Sequence, residues 1–113
     1  MSTVSTHVLD TSLGGPAVDV HVALYRQGPN AWEQLSTSVT DVDGRAASLL
    51  QRDEQLTPGT YRLRFATGAY YEARRTMCFY PRVDVVFTIE APDEHYHVPL
   101  LLSPFGFSTY RGS

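Results

Sequence analysis

Two histidines, His95 and His97, are separated by one residue in a stretch near the end of the chain that alternates like a strand. On a β-strand both rings point to one face, with Cβ atoms roughly 7 Å apart, while Tyr96 and Val98 point to the other face and suit a core. Such a pair can chelate a metal, but it needs a third ligand, for which His7 or a carboxylate is the candidate. A solvent-exposed strand face without a function is an equally good interpretation of the pair alone.

Two more residues could take part in the chemistry of a site. His7 lies in the strand-like segment STHVLD, where it shares a face with Ser5 and Leu9. Arg45 follows the segment TDVDG and begins the next strand. The aspartates of TDVDG fit two positions of a calcium loop, but its glycine comes too early and an arginine occupies the place of the bidentate glutamate. We therefore interpret this segment as a turn between strands.

The printed sequence closes on the polar tetrapeptide Tyr110–Ser113 (YRGS), behind an apolar run and a turn. With the histidines and Arg45, this tail would supply a phenol, a guanidinium, a hydroxyl and a carboxylate. Such a set suits activation of water by a neutral histidine, with arginines stabilising the anion that forms. The sequence has no glycine-rich phosphate loop and no G-x-S-x-G elbow, and Cys78 is expected to be a small buried hydrophobe rather than a nucleophile.

Composition limits the classes of protein and partner that are compatible with the chain. Its 113 residues are 42% hydrophobic and 19% charged, which predicts one globular domain spanning 1–113. A net charge of −3 without a basic run argues against nucleic acid as a partner. The single cysteine excludes an internal disulfide and a zinc thiolate cluster, and fits a reducing compartment. We expect no signal peptide and no membrane span, and therefore a cytoplasmic protein.

The positioning elements are predicted to be mainly strands, because the dominant hydrophobic period is two. Regular turn signals separate about eight short strands, which indicates an all-β sandwich of two sheets. The segment Ala69–Thr76 lacks this alternation and contains good helix formers, so we predict one short helix there. His21 alternates out of an apolar stripe and is expected at the surface. The predicted strands are Val4–Asp10, Val18–Leu24, Ala31–Thr40, Arg45–Leu49, Tyr61–Phe65, Val83–Ile89, His95–Leu102 and Phe107–Arg111.

Three segments together resemble the transthyretin-related family of 5-hydroxyisourate hydrolases: STHVLDTSLGGPAVDVHVAL, TDVDGR and EHYHVPLLLSPFGFSTYRGS. The resemblance covers nearly the whole chain, and the closing YRGS is its most specific part. It implies a transthyretin-like sandwich of two four-stranded sheets with one short helix. It also implies a homotetramer, a dimer of dimers, with sites in a channel between dimers.

The activity that the resemblance implies is hydrolysis of 5-hydroxyisourate to the ureido-imidazoline carboxylate OHCU, without a metal or other cofactor. Its motif assigns catalytic roles to His7, Arg45 and His97, and not to His95. Either His7 or His97 could be the general base, since histidine has an unperturbed pKa of about 6.5. The substrate-binding residues that it implies are Tyr110, Arg111, Gly112 and Ser113.

Three other interpretations remain open on the sequence. A transthyretin-like carrier would bind a small hydrophobic ligand without catalysis, but it would need an apolar channel rather than this polar set. A metal-assisted hydrolase would use His95, His97 and His7 as ligands. A purely structural sandwich would have no use for the YRGS tail.

Overall fold

The computed structural model describes residues 3–47, 49 and 56–113. Those residues form ten strands and one short helix, and most of the strands carry the alternation of buried and exposed side chains read from the sequence. The elements are β1 (Thr3–Asp10), β2 (Gly15–Pro16), β3 (His21–Gln27), β4 (Trp32–Val39), β5 (Arg45–Ala46), β6 (Gly59–Phe65), α1 (Thr67–Ala73), β7 (Val83–Ile89), β8 (His95–His97), β9 (Leu100–Ser103) and β10 (Gly106–Thr109).

The strands form two sheets, which confirms the predicted all-β sandwich with a short helix. One sheet has the four predicted strands in the antiparallel order β4-β3-β6-β7. The other has six rather than four, in the order β10-β9-β1-β2 with β5 and β8 also paired to β1. The number of strands is higher because the short strands β5, β8 and β9 each pair with only part of the long strand β1, in place of full-length neighbours.

The core lies between the two sheets and contains the apolar residues of the period-two stripes. Inward-facing residues of β3, β6 and β7 are almost fully buried against those of β1 and β9, as expected for packed sheets. They include Val22, Leu24, Tyr61, Leu63, Phe65, Val83, Ile89, Val4, Val8, Leu100 and Leu102. Outside this core, Cys78 is only half-buried at its margin and His21 is exposed, as predicted for His21.

Several predicted strands are shorter than expected, for local physical reasons. The strand predicted from Val18 begins at His21, since Asp19 has a φ of 66° and lies in the left-handed region. The predicted strand His95–Leu102 is interrupted between β8 and β9 at Pro99, which has no N–H to donate to a ladder.

Two further strands differ from their predicted bounds. The last strand occupies Gly106–Thr109 rather than Phe107–Arg111, and Arg45–Leu49 is reduced to Arg45–Ala46. Residue 48 of the predicted strand Arg45–Leu49 lies outside the described residues.

The helix α1 starts two residues before and ends three residues before the predicted Ala69–Thr76. Its end follows from the backbone at Arg75, whose φ of 53° cannot continue a right-handed helix. Tyr70 and Tyr71 are buried on the face that packs against the sandwich. Within the described part of the chain, no helix is long and apolar enough to cross a membrane.

Candidate functional site

Strand β1 brings three sequence-predicted site residues to one face of the six-stranded sheet. Ser5 pairs with His97 across the parallel β1–β8 ladder, and His7 pairs with Arg45 across the antiparallel β1–β5 ladder. Ser5 and His7 share a face because side chains alternate along a strand. The structure therefore gathers His7, Arg45 and His97, which lie far apart in the sequence, around one strand.

The turn Asp41–Gly44 fixes the position of Arg45 opposite His7. The Asp41 carboxylate accepts backbone N–H groups of Asp43 and Arg45 at 2.9 and 3.0 Å, which closes the turn. Gly44 has a φ of 78°, and a Cβ there would lie 2.4 Å from the Val8 carbonyl oxygen, so only glycine fits without displacement. The predicted turn thus serves to hold the arginine beside β1.

A recess of about 170 Å³ opens on this face. Arg45 and His97 line it, and Ser113 of the tail forms part of its wall. Its size suits a small ligand or substrate fragment, and its lining is far more polar than that of a typical apolar ligand pocket. The lining residues are Ser5, Thr6, Arg45, Ala47, His95, His97 and Ser113.

The surroundings of His97 perturb its protonation. Burial lowers its pKa below the usual value, and Coulombic interactions with His95, Arg45 and His7 lower it further. A hydrogen bond with the Ser5 backbone acts in the opposite direction but does not outweigh them. The imidazole is therefore neutral near pH 7 and able to accept a proton.

His7 is half-buried, and its Nε2 lies 2.9 Å from the Asp43 carbonyl oxygen. Because a carbonyl can only accept, Nε2 of His7 carries the proton in this hydrogen bond. His7 is thus anchored to the turn that also positions Arg45. A neutral His7 could therefore accept a proton only at Nδ1, and His97, unlike His7, lines the recess.

His95 and Ser5 form a hydrogen-bonded cluster with His97. The Ser5 hydroxyl lies 2.8 Å from Nδ1 of His97 and 3.1 Å from Nε2 of His95, and Nδ1 of His95 is bonded to the Thr3 hydroxyl. The two rings are nearly parallel, with centroids 6.2 Å apart. The predicted common face of the two histidines is confirmed, whereas the bridging role of Ser5 was not foreseen.

The tail is divided between two sides of the molecule. Gly112 donates its N–H to the His97 carbonyl at 2.8 Å, and a Cβ on Gly112 would lie 2.6 Å from Cδ2 of the His97 ring. Arg111 instead pairs with Glu94 at 2.9 Å and lies over the Tyr96 ring. Within this chain, then, Gly112 packs against His97 and Ser113 lines the recess, whereas the Arg111 guanidinium is paired with Glu94.

Tyr110 also lies outside the recess. It lines a second cavity of about 230 Å³ between β7 and the tail, which His97 and Arg111 also line and where Val85 and Phe87 supply an apolar wall. Its side chain is 58% exposed.

A pair of histidines on one strand face, such as His95 and His97, can ligate a metal ion when a third ligand is near. In residues 3–47, 49 and 56–113, no group of three or more His, Cys, Asp or Glu side chains is arranged to hold a metal ion. The nitrogens of His95 and His97 that face each other are engaged with the Ser5 hydroxyl. The same arrangement offers a neutral imidazole beside a guanidinium, which suits proton abstraction from water and stabilisation of an oxyanion.

Ser5, Thr6 and Ala47 line the recess without having been singled out from the sequence. For Ser5 a signal existed, because it precedes His7 by two residues and so shares its face. The parallel pairing with β8 that makes this position important was not visible in any local pattern.

The chain matches a family model described as "HIUase/Transthyretin family" over residues 4–112. The chain belongs to the HIUase/Transthyretin family. This confirms the resemblance seen in the sequence, and it places the recess in a family with both hydrolase and transthyretin members.

Named relatives come from both branches of the HIUase/Transthyretin family. A mouse protein named 5-hydroxyisourate hydrolase is 48% identical over 99% of this chain and 96% of its own length. The structure of the Klebsiella pneumoniae 5-hydroxyisourate hydrolase superimposes with a TM-score of 0.85 at 40% identity, covering 98% of this chain and 99% of that one. Sea bream transthyretin, solved in complex with thyroxine, superimposes with a TM-score of 0.89 at 31% identity, covering 97% and 94%.

Proposed function

We propose that this protein is a 5-hydroxyisourate hydrolase that converts 5-hydroxyisourate to the ureido-imidazoline carboxylate OHCU in urate degradation. The observation that carries the proposal is the recess in which a neutral His97 and Arg45 lie together beside β1. Full-length relatives named for this activity, at 40 to 48% identity, support it. The reaction needs a base for water and a cation for the developing anion, and both are present.

His97 is the general base in the mechanism that this geometry favours. Its Nε2 takes a proton from water as the water oxygen forms a bond to a ring carbonyl carbon of the substrate. Arg45 stabilises the tetrahedral alkoxide through its guanidinium N–H groups. The intermediate collapses by breaking the C–N bond, and protonated His97 returns the proton to the departing nitrogen. This leaves a ureido group and a carboxylic acid, which releases its remaining proton to solvent and becomes the carboxylate.

The test is the absorbance decay of freshly made 5-hydroxyisourate with and without the protein near neutral pH. We expect the decay to be faster than the spontaneous reaction by several orders of magnitude, in keeping with enzymes generally. Clean, folded protein that leaves the decay rate unchanged would overturn the proposal. Prolonged dialysis against a chelator should leave the rate intact, whereas a loss that zinc restores would establish the metal-assisted alternative.

The competing function is a transthyretin-like carrier of a small hydrophobic ligand. The structural similarity to sea bream transthyretin, solved in complex with thyroxine, supports this alternative. The recess here is lined by two histidines, an arginine and hydroxyl groups, which is poor chemistry for an apolar ligand. Thyroxine binding at micromolar affinity by protein that does not accelerate the decay would favour the carrier.

The protein acts as a homotetramer, a dimer of dimers, in this proposal. β7 ends one sheet and β10 ends the other in the strand order of the described residues. Exposed apolar side chains lie on these edge strands, including Val86 and Phe107. Uncovered edges of this kind favour strand pairing with another copy. Sedimentation at micromolar concentration should give a tetramer, and a fully active monomer would contradict this.

Arg111 and Tyr110 are proposed to contact substrate, together with Gly112 and Ser113. In one chain Arg111 faces Glu94, with both side chains more than half exposed, so the pair is weak and the guanidinium can be redirected. Arg111→Gln should raise KM severalfold, and the matched variant Glu94→Gln should leave it unchanged. Equal small effects of both variants would reduce Arg111 to a surface ion pair.

A cytoplasmic location is part of the proposal, because a chain with one half-buried free thiol fits a reducing compartment. Cell fractionation checks it, and recovery outside the cytoplasm would contradict it.

A further inference from the structure

The Ser5 hydroxyl occupies a position between two imidazole nitrogens. It lies 2.8 Å from Nδ1 of His97 and 3.1 Å from Nε2 of His95, and the hydrogen bond from the other nitrogen of His95 to Thr3 extends the chain. Ser5 is 91% buried, and its neighbour across the ladder is His97 itself. Strand pairing therefore fixes this hydroxyl against the His97 ring.

The number of protons available limits the direction of these hydrogen bonds. A serine hydroxyl has one proton and can donate to only one of the two nitrogens, so the other imidazole must donate to it. The single hydroxyl proton allows two directions along this chain of hydrogen bonds, and the proposed role of His97 as the base selects one of them. A base needs its bare nitrogen on the side of the water, so the Nδ1–H of His97 must donate to the Ser5 hydroxyl.

The rest of the chain then follows in one direction. Nδ1–H of His97 donates to the Ser5 hydroxyl, which donates to Nε2 of His95. Nδ1–H of His95 donates to the Thr3 hydroxyl. Among the described residues Nε2 of His97 has no hydrogen-bond partner, and this is the nitrogen that remains for a water molecule in the recess.

We propose that Ser5 is a positioning residue that, with His95 as its acceptor, holds His97 in the tautomer protonated on Nδ1 and bare on Nε2. The inference rests on the proposed role of His97 as the base. It gives His95 a function that the sequence motif alone did not assign. Without the hydroxyl, the neutral ring would distribute between its two tautomers, and molecules protonated on Nε2 could not accept a proton from water.

Other charged groups around His97 do not select the tautomer. Arg45 on β5 and His7 on β1 face it and act through their charge, and Ser113 of the tail borders the same recess. Charge from these directions disfavours the imidazolium but does not specify which nitrogen of the neutral ring carries the proton. A direct hydrogen bond does, and in the described residues Ser5 makes it.

The decisive measurement is the nitrogen-15 NMR spectrum of the His97 ring in the intact, folded protein, at a pH where the ring is neutral. We expect a protonated Nδ1 and a bare Nε2 in the native protein and in Ser5→Thr, which keeps the hydroxyl. Ser5→Ala should show averaged shifts from mixed tautomers. Ser38→Ala, a half-buried serine in the other sheet, is the control and should match the native spectrum.

Kinetics should agree with the spectra. Ser5→Ala is expected to lower kcat about tenfold with KM nearly unchanged, a part of the usual contribution of a general base, and Ser5→Thr should restore most of the rate. A native ring protonated on Nε2, or a Ser5→Ala ring with the native tautomer, would overturn the inference whatever the activity. If the native protein shows the expected tautomer but does not hydrolyse 5-hydroxyisourate, the proposed function fails and the assignment of Ser5 as the tautomer-selecting residue stands.

Discussion

The two faces of β1 carry two polar clusters that differ in how completely their hydrogen-bonding groups are satisfied. On the inner face, Asp10 is 1% exposed and accepts hydrogen bonds from the Ser12 side chain and backbone and from the Tyr70 hydroxyl. On the outer face, the ring of His97 lines a recess, and its Nε2 has no hydrogen-bond partner among the described residues. A carboxylate that already accepts three hydrogen bonds stabilises structure, whereas a ring with an open acceptor nitrogen can also take part in chemistry.

Electrostatics separate the clusters in the same way. Burial acts to raise the pKa of Asp10, but the hydrogen bonds from Ser12 and Tyr70 outweigh it and keep the pKa below its usual value. Burial and the Asp10 carboxylate together raise the pKa of Tyr70 to about 12. Both groups thus stay in one protonation state at neutral pH. By contrast, the pKa of His97 is lowered, which favours the neutral ring that the proposed general base requires.

The largest expected effect is on the outer face. His97→Ala should lower kcat/KM by roughly 100- to 10,000-fold, the usual contribution of a general base. Because its ring packs on polar neighbours rather than in the core, the melting temperature should change little. His7→Ala and Arg45→Ala should also lose activity and remain folded. His21→Ala, an exposed histidine of β3, is the control, and an equal loss there would remove the distinction between the faces.

A substitution on the inner face should lower the stability of the protein rather than its activity. Asp10→Asn exchanges a carboxylate that accepts three hydrogen bonds for an amide that cannot accept them all, and should cost about 2 kcal/mol of unfolding free energy. The kcat of the folded variant should stay near the native value. Urea unfolding and activity assays measure the two effects, with the exposed Asp19→Asn as the control. Unchanged stability together with lost activity would assign Asp10 to the site.

A smaller effect is expected where the tail packs against the site. Gly112→Ala places a methyl group 2.6 Å from Cδ2 of His97, closer than carbon atoms pack, so the ring must move. We expect about a tenfold loss of kcat with nearly unchanged stability. Gly106→Ala, where the nearest atom is 3.7 Å away, tests the effect of the substitution alone. Native activity of Gly112→Ala would show that ring position is not critical.

The smallest effect is a displacement of the pH profile. The proposed role of His97 as the base requires its neutral form, so the acidic limb of kcat/KM should lie below pH 6.5, since the pKa of this ring is lowered. Arg45→Met removes a positive charge that lowers it, so the pKa should rise and the limb should move to higher pH. Arg82→Met, with the same charge change directly before β7, should leave the limb in place. A limb that moves to lower pH in Arg45→Met would contradict this account.

The sequence was informative wherever the determining interaction was local. Alternation placed Tyr61, Leu63 and Phe65 in the core, and the same rule placed the rings of His95 and His97 on one face. These predictions needed only the geometry of a single strand.

The sequence was less informative wherever the partner was distant. The junction of Ser5 with His97 depends on a parallel ladder between strands at opposite ends of the chain. The pairing of Arg111 with Glu94, 17 residues apart, likewise depends on how the tail folds back beside His97. Family resemblance named the site residues, but it could not supply these contacts.

The pairing of β1 with β8 also sets an order of events during folding. Ser5 and His97 are 92 residues apart, while the sheet β4-β3-β6-β7 is complete within residues 21 to 89. During synthesis the sheet β4-β3-β6-β7 can form early. β1 cannot pair with β8 and β9 until the last part of the chain has been made, and until then the edge of β1 is exposed to other chains. Pulse-labelled hydrogen exchange during refolding should therefore protect β3 and β6 before β1, and the enzyme would gain its active site only in the final step of folding.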